Sequence, residues 1–269
     1  MAIKLVAIDI DGTLLNSHYE LTSGVKLAID HVRKKGVAVV LATGRPYVGI
    51  KRYLIELGLV DKGQYCISYN GALVQKAKDG ECVSEITLSF DDYVYIEKLA
   101  RELGVHFQAF DKDSLYTPNK DLSKYTIHEA SLTGIPVRYR SVDEMDHNIR
   151  FPKLMMIDDP SLLDAAVQQL PSKAQQNYTI LKSAPYYLEI LDCRVNKGRS
   201  LKMLAEKMSI AREEVMAIGD QENDLAMIKY AGTGVAMGNA IDSIKKIAQF
   251  ITKSNMEDGV VYAIENLVL

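Results

Sequence analysis

Two carboxylates one residue apart close an apolar run near the amino terminus: "VAIDIDGTLL" carries Asp9 and Asp11, followed by Gly12 and Thr13. On an extended segment the period of two aims both side chains to one side, while Ile10 faces the core. Carboxylates that close repel unless a cation or a shared proton intervenes. Further along, "EVMAIGDQEND" ends a second apolar run in Asp220, with Asp224 four residues later and on the same face if that segment is helical. Acid oxygens clustered at strand ends, with no Cys or His beside them, suit a hard cation such as Mg²⁺.

The donors complement the acids. In "ATGR", Thr43 supplies a hydroxyl and Gly44 lets backbone approach a ligand. Lys197 in "VNKG" lies just before a predicted helix, whose amino terminus also favours anions. A site that mixes metal-binding acids with anion-binding groups fits a phosphate ester. A carboxylate attacking a phosphate dianion at about 4 Å meets roughly 4 kcal/mol of repulsion per unit charge at an effective dielectric near 20. Mg²⁺ and Lys197 would offset that repulsion. Phosphate-monoester hydrolysis is very slow uncatalysed, so positioning and charge neutralisation have to supply most of the acceleration.

These residues need strands that end at one place. "TSGVKLAIDHVRKKG" sets Val25, Ala28, Ile29 and Val32 at helical spacing, with Thr22 or Ser23 as N-cap and Gly36 as stop. "VAVVLATGR" is another continuous apolar run, and such runs alternating with amphipathic helices predict a parallel sheet covered on both faces. "RPYVGIKRYLIELG" reads as the next helix, with Pro46 in its first turn and Gly58 closing it. Asn70-Gly71 and Asp79-Gly80 predict tight hairpin turns between antiparallel strands. From about residue 85 to about 190 the pattern becomes that of a self-contained α+β unit, after which the doubly wound rhythm resumes. The expected architecture is α/β: a doubly wound, Rossmann-like, mostly parallel core from residues 1–84 and 191–269, split by an inserted α+β domain over 85–190. The carboxyl ends of parallel strands are where open sheets bind ligands, so Asp9–Thr13, Thr43–Arg45 and Gly219-Asp220 should converge on one crevice.

Composition narrows the partners. Lys and Arg total 32 against 35 Asp and Glu, which gives no basic footprint for nucleic acid. Cys66, Cys82 and Cys193 are scattered and show no CxxC spacing, which argues against a disulfide framework or a zinc site and for a reduced cytoplasm. The amino-terminal apolar stretch is interrupted by Lys4, Asp9 and Asp11, unlike a signal peptide or a membrane span. The expectation is a soluble protein, monomeric or homodimeric, that binds a small phosphorylated metabolite and neither nucleic acid nor membrane.

Taken in order, "DIDGT", "ATGR", Lys197 and "GDQEND" resemble the four motifs of the haloacid dehalogenase-like (HAD) phosphohydrolases. "YNGALVQ" and "SAPYYLEIL" bring the chain closer to the Cof-type sugar-phosphate phosphatases, in particular the YidA-like branch. That resemblance implies a Mg²⁺-dependent phosphatase acting on small phosphorylated metabolites, foremost sugar phosphates, through an aspartyl-phosphate. It makes Asp9 the nucleophile and Asp11 the acid that protonates the leaving oxygen and then activates water. It also implies Mg²⁺ at the Asp9 carboxylate, the Asp11 backbone carbonyl and Asp220, with Asp224 nearby or one layer behind. Thr43, Gly44, Lys197, Asn223 and the backbone amide of Ile10 match positions that hold phosphoryl oxygens. About thirty residues separate the first two motifs and about 150 the second from the third, which makes the insert a cap of the second type.

Some residues keep two readings. Arg45 is a helix-start residue or salt-bridge partner, or it touches substrate; Asn70 forms a turn, or it lines the site. Tyr116, Tyr125, Tyr186 and Tyr187 read as packing within the cap rather than a base-stacking platform. An aspartyl-phosphate can also be discharged to an alcohol, as in a phosphomutase. A receiver-type signalling protein shares an acceptor Asp and a Lys, but it needs neither an insert nor a second carboxylate two residues on.

Overall fold

The structure is a computed structural model and describes residues 2–269. Its strands and helices run β1 (Leu5–Ile8), α1 (Ser23–Lys34), β2 (Ala38–Ala42), α2 (Tyr47–Glu56), β3 (Tyr65–Ser68), β4 (Leu73–Lys76) and β5 (Cys82–Glu85). Then come α3 (Phe90–Glu102), β6 (His106–Phe110), β7 (Leu115–Thr117), α4 (Lys124–Thr133), β8 (Val137–Tyr139), β9 (Lys153–Ile157), α5 (Pro160–Gln168), α6 (Ser172–Asn177), β10 (Tyr178–Ala184) and β11 (Tyr187–Asp192). The chain closes with α7 (Lys197–Lys207), β12 (Val215–Gly219), α8 (Leu225–Tyr230), β13 (Thr233–Ala236), α9 (Asp242–Lys245), β14 (Phe250–Ile251) and α10 (Gly259–Leu267). Among the described residues no helix is long and apolar enough to cross a membrane.

By their contacts the residues form two compact units. The first comprises the chain up to Gly44, Lys51–Ser84 and Asn196–Leu269. Its sheet has the order β14-β13-β12-β1-β2-β3-β4-β5, parallel from β14 to β3 and antiparallel from β3 to β4. In the centre Ile8 pairs with Ile218 on one side and Leu41 on the other. Every residue of β1 and β12 is buried, as the unbroken apolar runs require. Helix α1 buries Val25, Ala28, Ile29 and Val32, and the Thr22 hydroxyl caps it by accepting from the Val25 amide at 3.2 Å. The valines and the isoleucine each contribute about 1.5–3 kcal/mol by leaving water, and Ala28 less.

The second unit comprises Glu85–Val195 together with Arg45–Ile50. Its sheet runs β10-β11-β9-β6-β7-β8. One face packs a core that includes Tyr93, Phe107, Phe151, Leu154, Met156 and Leu188. The opposite face carries a buried charge cluster among apolar residues: Lys153 of β9 places Nζ 3.2 Å from Oε1 of Glu189 on β11 and 3.8 Å from Oε1 of Glu129 on α4, all three buried.

The contacts move two of the expected boundaries. The segment Arg45–Ile50 groups with the insert because Gly49 lies against Thr133 of α4, where an added Cβ would come within 3.3 Å of the threonine Cβ. The return to the first unit falls at Asn196 rather than 191, because β11 stays paired with β10 as far as Asp192. Asn70-Gly71 is also not a two-residue hairpin turn. Ser68 pairs with Leu73, so four residues bridge the strands, and Tyr69, Asn70 and Gly71 take φ values of 49°, 56° and 101°. For Tyr69 and Asn70 that backbone costs about 1–3 kcal/mol each, which the surrounding structure must offset. Strand β14 carries no recognisable sequence signal because it is two residues long and lies at the sheet edge.

Candidate active site

The adjacent parallel strands β12, β1 and β2 end in Gly219, Ile8 and Ala42, so Asp220, Asp9 and Thr43 leave the sheet at one edge. Backbone bonds hold two of these exits: the Asp9 amide donates to Ile218 O at 3.0 Å and the Thr43 amide to Ile67 O at 2.9 Å. After Asp9 the chain makes one wide turn over Ile10–Leu14, closed by the Leu14 amide on Asp9 O. Ile10 is fully buried and anchors the turn, while Asp11 is half-buried.

The structure brings the carboxylates of Asp9, Asp220 and Asp224 together, one oxygen of each lying within 4.8 Å of the others. All three side chains are buried. Lys197, the first residue of α7 and fully buried, places Nζ 2.5 Å from Asp9 Oδ1 and 2.7 Å from Asp224 Oδ1. The other Asp224 oxygen accepts from the backbone amides of Asp220 and Gln221 at 2.9 and 3.1 Å. Both Asp224 oxygens are therefore engaged in holding the lysine and the strand end. Asp220 is held differently: the Thr13 hydroxyl donates to Oδ1 at 2.8 Å and the Gln221 amide group to Oδ2 at 3.2 Å.

Three buried acids facing one ammonium leave an excess of negative charge, and the proton affinities follow from it. Burial pushes the Asp9 carboxyl well above the usual range, reinforced by Asp224 and Asp220 and opposed by Lys197. Burial, and then Asp224, push Asp220 up to about 6. Burial by itself would lower Lys197, but the Asp224 and Asp9 carboxylates outweigh it and hold its pKa raised.

On the opposite side of Asp9, Thr43 is buried and Gly44 follows it. A Cβ on Gly44 would come within 3.2 Å of the Asn70 side-chain amide. Asn223, on the turn before α8, donates from Nδ2 to Asn70 Oδ1 at 2.9 Å. Of the residues singled out by motif, Asp9, Thr43, Gly44, Asn70, Lys197, Asp220, Asn223 and Asp224 all lie in the first unit, on the segments that follow its strands or, for Lys197, at the start of α7. Arg45 is buried and groups with the second unit.

The model of the haloacid dehalogenase-like hydrolases matches residues 6–264 of this chain. The chain belongs to the haloacid dehalogenase-like hydrolases. It is similar over its whole length to the Bacillus subtilis (strain 168) "Putative phosphatase YxeH", at 46% identity over 266 residues, 99% of this chain and 98% of that one. It is 32% identical over 267 residues, 99% of this chain and 96% of the other, to the Bacillus subtilis 5-amino-6-(5-phospho-D-ribitylamino)uracil phosphatase YcsE. The crystal structure of a haloacid dehalogenase-like hydrolase from Bacteroides thetaiotaomicron superposes with a TM-score of 0.89 at 35% identity, covering 98% of this chain and 99% of the other. The resemblance to Cof-type phosphatases carried by the motifs holds, and so does the α/β fold. This hydrolase is a phosphatase, and its substrates are phosphorylated compounds.

Several residues that shape this phosphatase's site carry no role in the sequence reading. Thr13 and Gln221 hold Asp220, Asn239 donates to Gly12 O at 2.9 Å, and Ser200 donates to Gly71 O at 2.7 Å. Thr13 and Gln221 sit inside the motifs, which is a usable signal. Nothing local marks Asn239 or Ser200, whose partners are far away in the chain.

Gly12 is required twice over. Its φ is +81°, and an added Cβ would stand 2.5 Å from Asp220 Oδ2. Gly12→Ala is expected to displace the Asp220 carboxylate and lower kcat/KM by about 100-fold, as a misplacement of about 1 Å can. Phosphate-release kinetics alongside a thermal melt would separate loss of the site from loss of the fold.

Proposed function

We propose that this phosphatase hydrolyses small phosphate monoesters, foremost sugar phosphates, with Mg²⁺ and through an aspartyl-phosphate on Asp9. The observation that carries the reading is the buried cluster in which Lys197 bridges Asp9 and Asp224 beside Asp220. Its donor set is all oxygen, with no His or Cys, which fits a hard dication. Asp9 and Asp220, with the Asp11 backbone carbonyl, would hold the ion. Asp224 is committed to Lys197 and two backbone amides, so its part is to position them. The bound ion would supply positive charge to the phosphoryl oxygens.

The chain's own groups divide the remaining work. An Asp9 carboxylate oxygen attacks phosphorus, forming the Asp9 O–P bond as the ester P–O bond breaks. Asp11 gives its proton to the departing oxygen, and in the second half takes one from the water that attacks phosphorus and frees Asp9 as inorganic phosphate leaves. Lys197, held by two carboxylates, keeps its proton and offsets the charge between nucleophile and dianion. Thr43, the Gly44 backbone, the Ile10 amide and Asn223 are assigned to the phosphoryl oxygens. Arg45 stands as a further contact candidate. A sugar phosphate accords with the phosphoribityl compound in the name of the relative YcsE, and a cytoplasmic, monomeric or homodimeric protein with the sequence reading.

The decisive experiment is phosphate release from a broad panel of sugar, nucleotide and cofactor phosphates with and without Mg²⁺. Turnover of sugar phosphates that needs the ion supports the reading; no release from any monoester overturns it. Analysis of products from a bisphosphorylated sugar distinguishes hydrolysis from transfer to another hydroxyl.

Metal binding also predicts a pH dependence of stability. Asp220 binds its proton more tightly folded, at about 6, than at its ordinary value of 3.8. Its charge therefore opposes folding increasingly as pH rises from 3.8 to about 6, and fully above that. A dication on these carboxylates removes the opposition. The rise in Tm on adding Mg²⁺ is thus expected to be small at about pH 5 and larger at about pH 7.5; an equal rise at both would count against Asp220 as a ligand.

A further inference from the structure

Three consecutive residues with positive φ in one buried loop are costly, and this loop touches the second, third and fourth motif segments at once. The Asn70 amide donates to Thr43 O at 2.9 Å, at the end of β2. The Asn70 side chain packs against Gly44, where a Cβ would come within 3.2 Å of Nδ2, and its Oδ1 accepts from Asn223 Nδ2 at 2.9 Å. One residue later, a Cβ on Gly71 would stand 2.6 Å from Asn196 O, the cap of the helix that begins with Lys197. The Ser200 hydroxyl fastens the same helix to Gly71 O at 2.7 Å. Tyr69 anchors the loop and is fully buried.

An ordinary two-residue hairpin turn takes positive φ at its two central residues only, whereas this four-residue connection between β3 and β4 adds a third at Tyr69, a buried aromatic residue that the connection by itself does not require. Backbone held in sparsely populated regions clusters where a site must be pre-organised. Asn70 is also a residue type that tolerates the left-handed region. We propose that the Tyr69-Asn70-Gly71 turn is a positioning device for the phosphoryl site, in which Asn70 orients the Asn223 amide and the Gly44 backbone rather than contacting substrate itself. The inference rests on the phosphatase reading above, in which Asn223 and Gly44 hold phosphoryl oxygens. It resolves the two readings of Asn70: the residue forms a turn, and the turn serves the site through its neighbours.

The orientation has a chemical consequence. With Oδ1 of Asn70 accepting from Nδ2 of Asn223, the second Nδ2 hydrogen of Asn223 remains to donate and its amide plane is fixed. Without the acceptor, that amide can rotate and offer its carbonyl oxygen, which repels an anion.

The test is a double-mutant cycle on the intact protein, read by kcat, KM and the inhibition constant of inorganic phosphate. Asn70→Gly keeps the left-handed backbone and removes only the side chain. It is expected to lower kcat/KM by about tenfold and weaken phosphate inhibition by a similar factor, with Tm little changed. Asn223→Ala is expected to cost more, and the double variant no more than about twofold beyond Asn223→Ala alone, because Asn70 acts through Asn223. Multiplying losses, or an Asn70→Gly protein within about twofold of wild type in both readouts, overturn the proposal. If Asn70→Gly does not fold, Asn70→Asp decides. It keeps an acceptor for Asn223 and the backbone preference but adds charge, so kcat within about threefold of wild type with a raised KM supports the role, and loss of kcat overturns it. An inactive wild-type protein would refute the phosphatase reading, a result distinct from any of these.

Discussion

Asp9→Asn is expected to lower kcat by about 10⁴-fold or more while the protein remains folded. Asn has the same shape and still accepts a hydrogen bond from Lys197, now 2.5 Å from Asp9 Oδ1, but an amide oxygen cannot form the phosphoenzyme. The same change removes one of the buried carboxylates that repel one another. Because burial and Asp224 hold the Asp9 carboxyl well above its ordinary range, its charge opposes folding. The metal-free variant is therefore expected to melt no lower than wild type. Phosphate release with the best substrate from the panel, and melts in chelator, check both halves. Retention of more than about 1% of activity would remove Asp9 from the nucleophile's role.

Lys197→Met should combine a large loss of activity with a large loss of stability. Methionine is of similar length and apolar, so packing around the fully buried stem is largely kept and the change is mainly one of charge. What remains is Asp9, Asp220 and Asp224 in one buried cluster with no cation. Breaking a buried pair by removing one partner costs about 3–5 kcal/mol, and here one lysine serves two carboxylates. This fixes the sign of the pH effect. Burial already raises the Asp9 and Asp220 carboxyls and Lys197 opposes it, so without the ammonium the penalty grows as pH rises and fades as those two acids are protonated. Urea unfolding of both proteins is expected to show a gap that is wide at about pH 7.5 and narrower at about pH 5, with kcat/KM down about 10³-fold or more. A gap independent of pH would mean that Lys197 stabilises by packing alone.

Much of this was legible in the residues because the chemistry is carried by short motifs at strand ends. The unbroken runs "VAI", "VAVVLA" and "VMAIG" announce buried parallel strands, and each run gives way to polar residues, which leaves few places for the site. The helix caps were readable for the same reason: Thr22 and Gly36 act on backbone only a few residues away. The placement of Arg45–Ile50 with the insert was not readable, because it depends on packing against Thr133. Nor was the commitment of Asp224 to Lys197, since periodicity places a carboxylate on a face but does not choose its partner.

By itself, the sequence determined the α/β class, the family and the residue types that bring acid, cation and hydroxyl to one edge of a sheet. Those properties reside in local patterns: apolar periodicity, capping residues and motifs of five or six residues. Only the tertiary structure decided how the groups divide their work. Lys197 joins Asp9 to Asp224, Thr13 holds Asp220, and Asn70 meets Asn223 from 153 residues away. Such pairings arise from strand order and from loops whose geometry the packing imposes, as at Tyr69 and Asn70. A hydrogen bond is a matter of tenths of an ångström, and no spacing along the chain encodes it.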